Sequence, residues 1–389
     1  MQNFEYLSPT KIIFGQGSEL RAGAESARFG KKILLLYGQG NIKVSGLYDK
    51  IVDSLLNEGV EFVELGGVQP NPRLSLVEKG IKICREQEIG FILAVGGGSV
   101  VDTAKAIGIG VPYQGKVWDF YSDKALPNES LPTGAVITLA AAGSETSKSS
   151  VITNEDGWFK RGLNSDITRP KFALLNPELT FTLPSYQTAC GSVDIMVHVL
   201  ERYFTDEKNV DLTDRLCEAT LCSVLKYAPL ALRCPDDFPA RAEIMWAAAI
   251  AHSDFLGLGR LGDWASHKIE HELSAIYDVA HGAGLAVIFP AWMKYVCRHN
   301  IPRFAQFAQR VFRVEPDLEF PENTALEGIK YLEGFFREMG MPTRLKDLNI
   351  GDERLGEMAD KCRRTPAGIT GNFVELKRND VLNILQLAL

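Results

Sequence analysis

The first half of the chain alternates between short apolar runs and amphipathic stretches. The runs in KKILLLYGQGN, GFILAV and GAVITLA lack polar alternation, which is typical of parallel strands buried on both faces. Between the first two lie SGLYDKIVDSLLNEG and RLSLVEKGIKICREQ, whose apolar spacing predicts helices on either side of a strand, VEFVEL. This alternation from Lys31 onward predicts right-handed crossovers and an open parallel sheet.

Shorter elements flank this core. FEYLSPTKIIFGQG predicts two short strands around Ser8-Pro9, and a helix-like stretch follows that ends at Gly30. SSVITNEDGWFKRGL predicts a strand pair with its turn at Asp156-Gly157, and PKFALLNPELTFTLP contains one last strand.

Beyond Pro184 the apolar period changes from two residues to 3.6. Three long stretches, SYQTACGSVDIMVHVLERYFT, DLTDRLCEATLCSVLKYAPLAL and PARAEIMWAAAIAHSDFLGLG, predict helices, and VLNILQLAL predicts the last one. We therefore expect an α/β dinucleotide-binding domain with a parallel sheet over residues 1–181 and an all-α domain over residues 182–389.

Composition narrows the classes of partner. The net charge of −7 and the lack of a polybasic run argue against nucleic acid and anionic membranes as partners. MQNFEYLSPT is not a signal peptide, and no segment approaches the ~20 apolar residues of a membrane helix. Seven scattered cysteines without a CxxC pair indicate reduced thiols. We expect a cytoplasmic protein.

Metal-competent side chains gather between residues 191 and 286. They are Asp194, His198, His267, His271 and His281. Asp194 and His198 are four residues apart, as are His267 and His271, so each pair shares one helix face. We expect the glycines of AHGAGL to let the backbone turn sharply beside His281. One carboxylate with three imidazoles suits Fe²⁺ or Zn²⁺ and leaves room for a substrate oxygen.

The turn Gly96-Gly97-Gly98-Ser99 lies between a predicted buried strand and a predicted helix. Bare glycines and a helix N-terminus suit phosphate oxygens. We expect Ser99 to cap this helix, with Asp102 completing a variant capping box. The motif is not GxGxxG, so a standard Rossmann domain is not predicted.

A second candidate cofactor turn, Gly38-Gln39-Gly40-Asn41, follows the first long strand. It has no acidic residue to hold a ribose 2′-hydroxyl, and Lys43 lies just beyond it. On charge this favours NADP(H) over NAD(H), although a solvated Lys43 is an equal alternative. Hydroxyls in TLAAAGSETS, including Thr138 and Ser147, are further candidates for cofactor contacts.

Taken together, several motifs resemble one family. In chain order they are VGGGSVVDTAKAIG, TLAAAGSE, RPKFALLNPELTFTLP, VDIMVHVLE, GDWASHKIEHELSA and AHGAGLAVIFPAW. They resemble the iron-containing, group III alcohol dehydrogenases, and within them the NADPH-linked butanol dehydrogenase and broad-range aldehyde reductase branch. The similarity runs from about Tyr6 to the C-terminus, and the motifs match in order, spacing and context.

The resemblance implies a dinucleotide-binding domain, a helical domain and a metal in the cleft between them. It maps the metal ligands onto Asp194, His198, His267 and His281, and it places His271 near the nicotinamide as a catalytic residue. The cofactor contacts that it implies are Gly38, Gln39, Asn41, Asn71, Gly97, Gly98, Ser99, Thr138, Ser147, Lys160 and Leu179. Fe²⁺ is the first expected metal and Zn²⁺ the next. A homodimer is also implied.

Two positions depart from the family pattern. Many members carry Thr where this chain has Ala142, and Asn or Asp where it has Ser147. The expected activity is reversible hydride transfer between NADP(H) and short-chain primary alcohols or aldehydes such as butanol and butanal. The alternatives are a polyol dehydrogenase of the glycerol type, a metal-dependent lyase of the dehydroquinate synthase type, and a binding protein without catalysis. Candidate apolar pocket walls are Trp158, Phe159, Phe255, Leu256 and Trp264.

Overall fold

Apolar runs in the first half of the chain form its sheet in the computed structural model of the protein, which describes residues 1–362 and 368–389. The strands among these residues are β1 (Lys11–Phe14), β2 (Lys32–Tyr37), β3 (Glu61–Leu65), β4 (Phe91–Gly96), β5 (Thr133–Ile137), β6 (Ser149–Asn154), β7 (Phe159–Asn164) and β8 (Phe172–Leu175). Six of them form one parallel sheet in the order β1-β8-β5-β4-β2-β3. The remaining two, β6 and β7, form the predicted antiparallel hairpin.

Helices make up most of the remaining structure. The α-helices are α1 (Ala22–Ser26), α2 (Asn41–Val44), α3 (Leu47–Asn57), α4 (Leu74–Glu86), α5 (Gly98–Gly110), α6 (Trp118–Tyr121), α7 (Ser185–Tyr203), α8 (Asp211–Arg233), α9 (Phe238–Ala251), α10 (Ala265–Tyr277), α11 (His281–Val296), α12 (Ile301–Phe312), α13 (Pro321–Glu338), α14 (Leu355–Lys361) and α15 (Arg378–Leu387). Short 3₁₀ helices cover Ser18–Arg21, Asp166–Thr168, Pro177–Thr180, Phe255–Gly257, Cys297–His299 and Leu345–Leu348.

Both faces of the parallel sheet are covered, which explains the unbroken apolar character of its strands. On β2, Leu34 belongs to a core that also contains Val77 of α4 and Val101 of α5. The next residue toward the N-terminus, Ile33, faces the opposite side and packs in a second core with Ile51 of α3. The predicted α/β architecture is confirmed.

The sheet order reverses between β2 and β4. From β2 the chain moves outward to β3, returns to β4 on the other side of β2, and continues outward to β5. Tyr37 of β2 pairs with Val95 of β4, so the carboxyl ends of these two strands lie side by side. In open parallel sheets a ligand binds outside the carboxyl ends of the strands at such a point of reversal. Both predicted cofactor turns leave the sheet here.

The first of the two strands predicted near the N-terminus is absent. Residues 4–7 form no strand, whereas Lys11–Phe14 pairs in parallel with β8. Phe4 and Leu7 are 55% and 64% exposed. A strand needs a partner for its backbone hydrogen bonds, and no described strand lies beside this segment.

The described chain forms two compact units. One contains Leu7–Leu183 and Pro235–Ser253, and the other contains Met1–Tyr6, Pro184–Cys234 and Asp254–Leu389. The α/β unit thus includes α9, which we expected to lie in a helical domain. Thr146 Oγ1 donates to the Ala249 carbonyl of α9 at 2.6 Å, and a Cβ atom on Gly143 would lie 2.2 Å from the Ala248 carbonyl oxygen. The predicted division into one domain over residues 1–181 and another over residues 182–389 remains a prediction.

The helical unit is built around α7, in which every residue from Thr188 to Tyr203 is buried. α8 and α11 pack against α7, and α10 packs against α11. α9 ends at Ala251, whereas the pattern of PARAEIMWAAAIAHSDFLGLG predicted a helix that continues to residue 259. Among the described residues, none of the helices combines the length and apolar character that a membrane crossing requires.

Candidate active site

One buried helix carries two of the predicted metal ligands. α7 places Asp194 and His198 one turn apart, so both side chains leave the helix on one face. His198 Nε2 lies 3.3 Å from Asp194 Oδ1, and both residues are buried. His267 lies in the first turn of α10, and His281 is the first residue of α11. Three helices of the helical unit therefore supply the candidate ligands.

The structure brings these four side chains together. One ligand atom from each of Asp194, His198, His267 and His281 lies within 4.8 Å of all the others. Asp194 Oδ1 and His267 Nε2 are buried and have no hydrogen-bond partner among the described residues. Burial and the neighbouring His267 ring hold the pKa of His198 well below its ordinary value, which leaves a neutral imidazole. Buried polar atoms normally have partners, so this donor set fits a divalent metal ion.

The glycines beside His281 do not form a turn, contrary to our prediction. Gly282 and Gly284 lie within α11. A Cβ atom on Gly282 would lie 2.1 Å from the Cys190 carbonyl oxygen of α7, and one on Gly284 would lie 2.6 Å from Glu270 Oε1 of α10. The glycines therefore allow α11 to approach both neighbouring helices closely.

His271 lies one turn beyond His267 on α10 and is buried. Its ring centroid is 5.7 Å from that of His281, but it is not a member of the four-residue group. It forms a second group with Glu270 and His281. His271 therefore borders the candidate metal site without completing its four-ligand set.

An aromatic side chain closes one side of the cluster. The Trp264 ring lies edge-on to His198 and His267, with centroid separations of 5.7 and 5.3 Å. The Arg202 guanidinium lies 4.6 Å from the centroid of the same ring. Of the five candidate pocket walls, Trp264 is thus beside the candidate metal ligands, whereas Leu256 is buried core. Trp158 and Phe255 are partly exposed, and Phe159 begins β7.

Two buried carboxylates beside the histidines were missed by our sequence reasoning. Glu201 Oε1 lies 2.8 Å from His267 Nδ1, and Glu270 Oε2 makes a short hydrogen bond with His281 Nδ1. Burial opposes ionisation of Glu201, but hydrogen bonds led by the one from His267 hold the pKa of its carboxyl below the usual value. Each glutamate follows a candidate ligand histidine by three residues, a helical spacing that could have revealed it.

The predicted cofactor turn after β2 forms one wall of an open groove in the α/β unit. The groove is lined by Tyr37, Gly38, Gln39, Gly40, Lys43, Gly66, Gly67 and Gln69. Gly40 has a φ of 113°, a backbone conformation that favours glycine, and Asn41 then begins α2. Gly38, Gln39 and Asn41 therefore lie at the point of reversal in the sheet, and their contacts with a cofactor remain predictions.

The second predicted cofactor turn joins β4 to α5, as expected, but its capping differs. Gly97 is the N-cap residue of α5, and no side chain caps this helix, so Ser99 does not have the predicted role. Asp102 does not complete a capping box. Its carboxylate accepts hydrogen bonds from Ser144 Oγ at 2.6 Å and from the Val151 amide at 3.1 Å. Because α5 begins at Gly98, Ser99 is already inside the helix.

A buried lysine fixes the loop that follows β5. Lys105 Nζ donates to the carbonyl oxygens of Ser144, Ser147 and Ser149 at 2.7, 2.9 and 2.7 Å. Burial lowers the pKa of Lys105 to about 8, against the opposing attraction of Asp102. Our sequence reasoning missed Lys105, because a lysine in an amphipathic helix pattern normally indicates a solvated face.

The remaining predicted cofactor residues are placed in the α/β unit. Lys160 Nζ donates to Asn71 Oδ1 at 2.9 Å, and both residues are buried, with Asn71 at a φ of 52°. The Ser147 hydroxyl accepts from the Ser149 amide at 2.8 Å, a bond within its own loop. Thr138 follows β5, and Leu179 packs against the core that contains Ile33. Their contacts with a cofactor remain predictions.

An acidic residue lies beside Lys43, although the turn itself contains none. Lys43 Nζ lies 3.1 Å from Glu64 Oε2, and the hydroxyls of Tyr37 and Tyr48 also donate to this carboxylate. Burial opposes ionisation of Glu64, but these hydrogen bonds outweigh it and lower the pKa of the carboxyl. Glu64 could not be linked to this turn from the sequence, because it lies on β3, distant from the turn along the chain.

Family comparisons match both halves of the chain. The family "Iron-containing alcohol dehydrogenase" matches residues 9–177, and "Fe-containing alcohol dehydrogenase family, C-terminal" matches residues 188–389. The chain is 46% identical to the probable NADH-dependent butanol dehydrogenase 2 of Bacillus subtilis, with complete coverage of both chains. It is 33% identical to the NADPH-dependent aldehyde reductase YqhD of Escherichia coli, over 93% of each.

Solved structures agree with these matches. The crystal structure of NADH-dependent butanol dehydrogenase A from Thermotoga maritima has a TM-score of 0.96 to this chain at 40% identity. The alignment covers 100% of this chain and 99% of that one. The 1,3-propanediol oxidoreductase structure has a TM-score of 0.86 at 25% identity, with complete coverage of both chains.

Proposed function

Since the chain belongs to the iron-containing alcohol dehydrogenase family and is a nicotinamide-dependent alcohol dehydrogenase, we propose that it interconverts short-chain primary alcohols and aldehydes such as butanol and butanal. The family assignment confirms the resemblance that the motifs indicated. The observation that carries the proposal is the buried cluster of one carboxylate and three imidazoles. The names of the relatives, which include butanol dehydrogenases and an aldehyde reductase, support this class of substrate.

The proposed metal ligands are Asp194, His198, His267 and His281, with Fe²⁺ as the first expected ion and Zn²⁺ as the next. A divalent ion held there supplies Lewis acidity toward an alcohol or carbonyl oxygen. The chain contributes an aspartate and three imidazoles on three helices. Trp264 and the buried faces of α7 and α10 limit the access of water to this cluster.

We propose that the dinucleotide lies at the carboxyl ends of β2 and β4, along the turns at Gly38–Asn41 and Gly97–Ser99, with the nicotinamide as the hydride carrier. Our charge argument favoured NADP(H), but Glu64 neutralises the only cation of the groove lining, Lys43, among the described residues. An ionised Glu64 also repels the ribose 2′-phosphate of NADP(H). We therefore propose NADH as the preferred cofactor and NADPH as the weaker one.

The Glu64→Gln substitution tests this cofactor preference. It removes the negative charge and frees Lys43 for a 2′-phosphate, so we expect the ratio of kcat/KM for NADPH to that for NADH to rise about fivefold. Glu61→Gln is the matched control, because Glu61 is an exposed glutamate on the same strand. An unchanged ratio in Glu64→Gln with butanal would contradict the proposed role of Glu64.

We propose that His271 moves a proton between the substrate oxygen and solvent. It borders the four-residue cluster but is not one of its members. His271→Ala is expected to lower kcat about 10²-fold, the usual contribution of a positioned acid or base, while the bound metal stays at one per chain. Metal content and kcat measured on one preparation check this. Loss of the metal together with activity would make His271 a ligand instead.

The proposed substrate class is tested by a panel that contains butanal, 1-butanol, glycerol and 1,3-propanediol. We expect kcat/KM to be highest for butanal and lowest for glycerol. Preferential oxidation of glycerol would support the polyol alternative. A homodimer and a cytoplasmic location remain predictions, and sedimentation analysis of the purified protein tests the first.

A further inference from the structure

Two carboxylates, to which no role has been assigned so far, lie next to the candidate metal ligands. Glu201 and Glu270 are both fully buried, and each contacts the Nδ1 atom of a candidate ligand histidine. Glu201 belongs to α7 and reaches across to His267 of α10, while Glu270 of α10 reaches His281 of α11. Each glutamate therefore links the helix that carries it to a candidate ligand on another helix.

A carboxylate at Nδ1 determines which imidazole nitrogen is free for a metal. A neutral imidazole carries one proton, and an ionised carboxylate can only accept a hydrogen bond. The proton must then lie on Nδ1, which leaves the lone pair on Nε2. His267 Nε2 is buried without a hydrogen-bond partner among the described residues, and His281 Nε2 lies 3.7 Å from Asp194 Oδ1. In both residues Nε2 is therefore the nitrogen that a metal ion can take.

The two glutamates differ in how many further hydrogen bonds their carboxylates accept. Glu201 also accepts hydrogen bonds from the Trp264 amide at 2.6 Å, from Ser266 Oγ at 2.7 Å and from the His267 amide at 3.2 Å. It thus satisfies amides at the start of α10, where Asp263 Oδ2 accepts a hydrogen bond from the Ala265 amide at 3.1 Å. Replacing Glu201 would disturb the helix itself, so its effect on the metal could not be separated from folding.

Glu270 offers a cleaner test. Besides His281, its carboxylate accepts a short hydrogen bond from Ser274 Oγ, one turn further along α10. Ser274 Oγ also lies 3.1 Å from the Val279 carbonyl oxygen. The Ser274 hydroxyl can therefore donate to Val279 when residue 270 does not accept its hydrogen bond. A glutamine could therefore keep its oxygen on His281 Nδ1 and turn its amide toward Ser274 Oγ. Only the charge would be lost.

The close approach at Gly284 is part of the same arrangement. A Cβ atom there would lie 2.6 Å from Glu270 Oε1 and 2.8 Å from Glu270 Cγ. Any side chain at position 284 would push the carboxylate away from its present place. The absence of a side chain at Gly284 thus leaves the space that Glu270 occupies between α10 and α11.

We propose that Glu270, in the space left by Gly284, is a positioning residue that holds His281 with Nε2 toward the metal, and that Glu201 does the same for His267. The inference rests on the proposed metal site and extends it to residues outside the ligand set. Carboxylates in this position orient the imidazole and increase its strength as a ligand, and their loss usually weakens metal binding 10- to 100-fold.

The test measures metal affinity, which does not depend on turnover. Full-length protein stripped of metal is titrated with Zn²⁺ and with Co²⁺ against a competing chromophoric chelator. We expect both Glu270→Gln and Gly284→Ala to raise the dissociation constants about 10- to 100-fold. The visible absorption of the Co²⁺-loaded Gly284→Ala variant should also shift, because the displaced carboxylate no longer holds the His281 ring in its orientation toward the ion.

Matched controls separate positioning from general structural damage. Gly334→Ala changes a helical glycine of the same unit where an added Cβ meets nothing within 4 Å. Glu218→Gln removes a buried carboxylate that contacts Tyr203, Gln306 and Arg310 but none of the metal ligands. Both controls should bind Zn²⁺ within about twofold of the wild type, and thermal unfolding of the metal-free proteins monitors the fold.

The outcomes distinguish this inference from the proposed function. Wild-type affinity in both Glu270→Gln and Gly284→Ala, with an unchanged Co²⁺ spectrum in Gly284→Ala, would overturn the positioning role alone. An equal loss in Gly334→Ala would also overturn it, because the loss would then have no connection with Glu270. If the wild-type protein binds neither ion, the proposed ligand set fails and the positioning role fails with it.

Discussion

His267→Ala is expected to lose its metal and nearly all of its alcohol dehydrogenase activity. The substitution removes one of three imidazoles from the cluster and leaves Glu201 buried without one of its hydrogen-bond donors. Loss of a carboxylate behind a ligand costs up to about 100-fold in metal affinity, so loss of the ligand itself should cost more. Metal content after dialysis and butanal-dependent NADH oxidation measure the two effects.

The matched control for His267→Ala is His299→Ala. His299 is an exposed histidine of the same unit, 2.7 Å from Asp206, and it belongs to no metal-competent group within residues 1–362 and 368–389. It should retain metal and activity within about twofold of the wild type. Full metal occupancy and normal turnover in His267→Ala would exclude this residue from the site.

Lys105→Met is expected to destabilise the α/β unit and to weaken cofactor binding together. Lys105 is fully buried and holds three carbonyl groups of the loop at residues 144–149. A methionine fills similar volume but leaves those carbonyls without their donor and removes the cation that attracts buried Asp102. A buried acceptor that loses its donor costs about 1–3 kcal/mol, so we expect the free energy of unfolding to fall by about 3 kcal/mol or more.

Urea unfolding and a fluorescence titration with NADH measure the two consequences of Lys105→Met. Lys82→Met serves as the control, because Lys82 is 73% exposed and its contact with Glu86 is at 3.7 Å. We expect that variant to differ from the wild type by no more than about 0.5 kcal/mol. Equal stability of Lys105→Met and the wild type would show that the loop is held by other contacts.

Most of the α/β architecture could be predicted from the sequence. An unbroken apolar run such as Ile33–Leu36 fits only a strand that is buried on both faces, and the structure covers both faces of β2. The predicted strand at residues 4–7 failed because local alternation cannot show whether a pairing partner exists. The position of α9 was missed for a related reason, since a helical pattern does not say which core the helix joins.

Spacing along helices revealed the candidate metal ligands but not their surroundings. Four-residue spacing placed Asp194 and His198 on one face of α7, as the structure has them. Glu201, Glu270 and Glu64 were missed because each contacts a side chain on a different element. The glycines of α11 were interpreted as a turn because the sequence shows only that glycine is conformationally free. It does not show that α7 and α10 pack so closely against α11 that a side chain would not fit.

The most direct test of the proposed catalysis is NADH oxidation with butanal by one preparation of the protein before and after metal removal. A chelator should abolish the activity, and reloading with Fe²⁺ or Zn²⁺ should restore it, with NADH used more efficiently than NADPH. Undiminished turnover by the metal-free protein would contradict a metal-dependent reaction at Asp194, His198, His267 and His281.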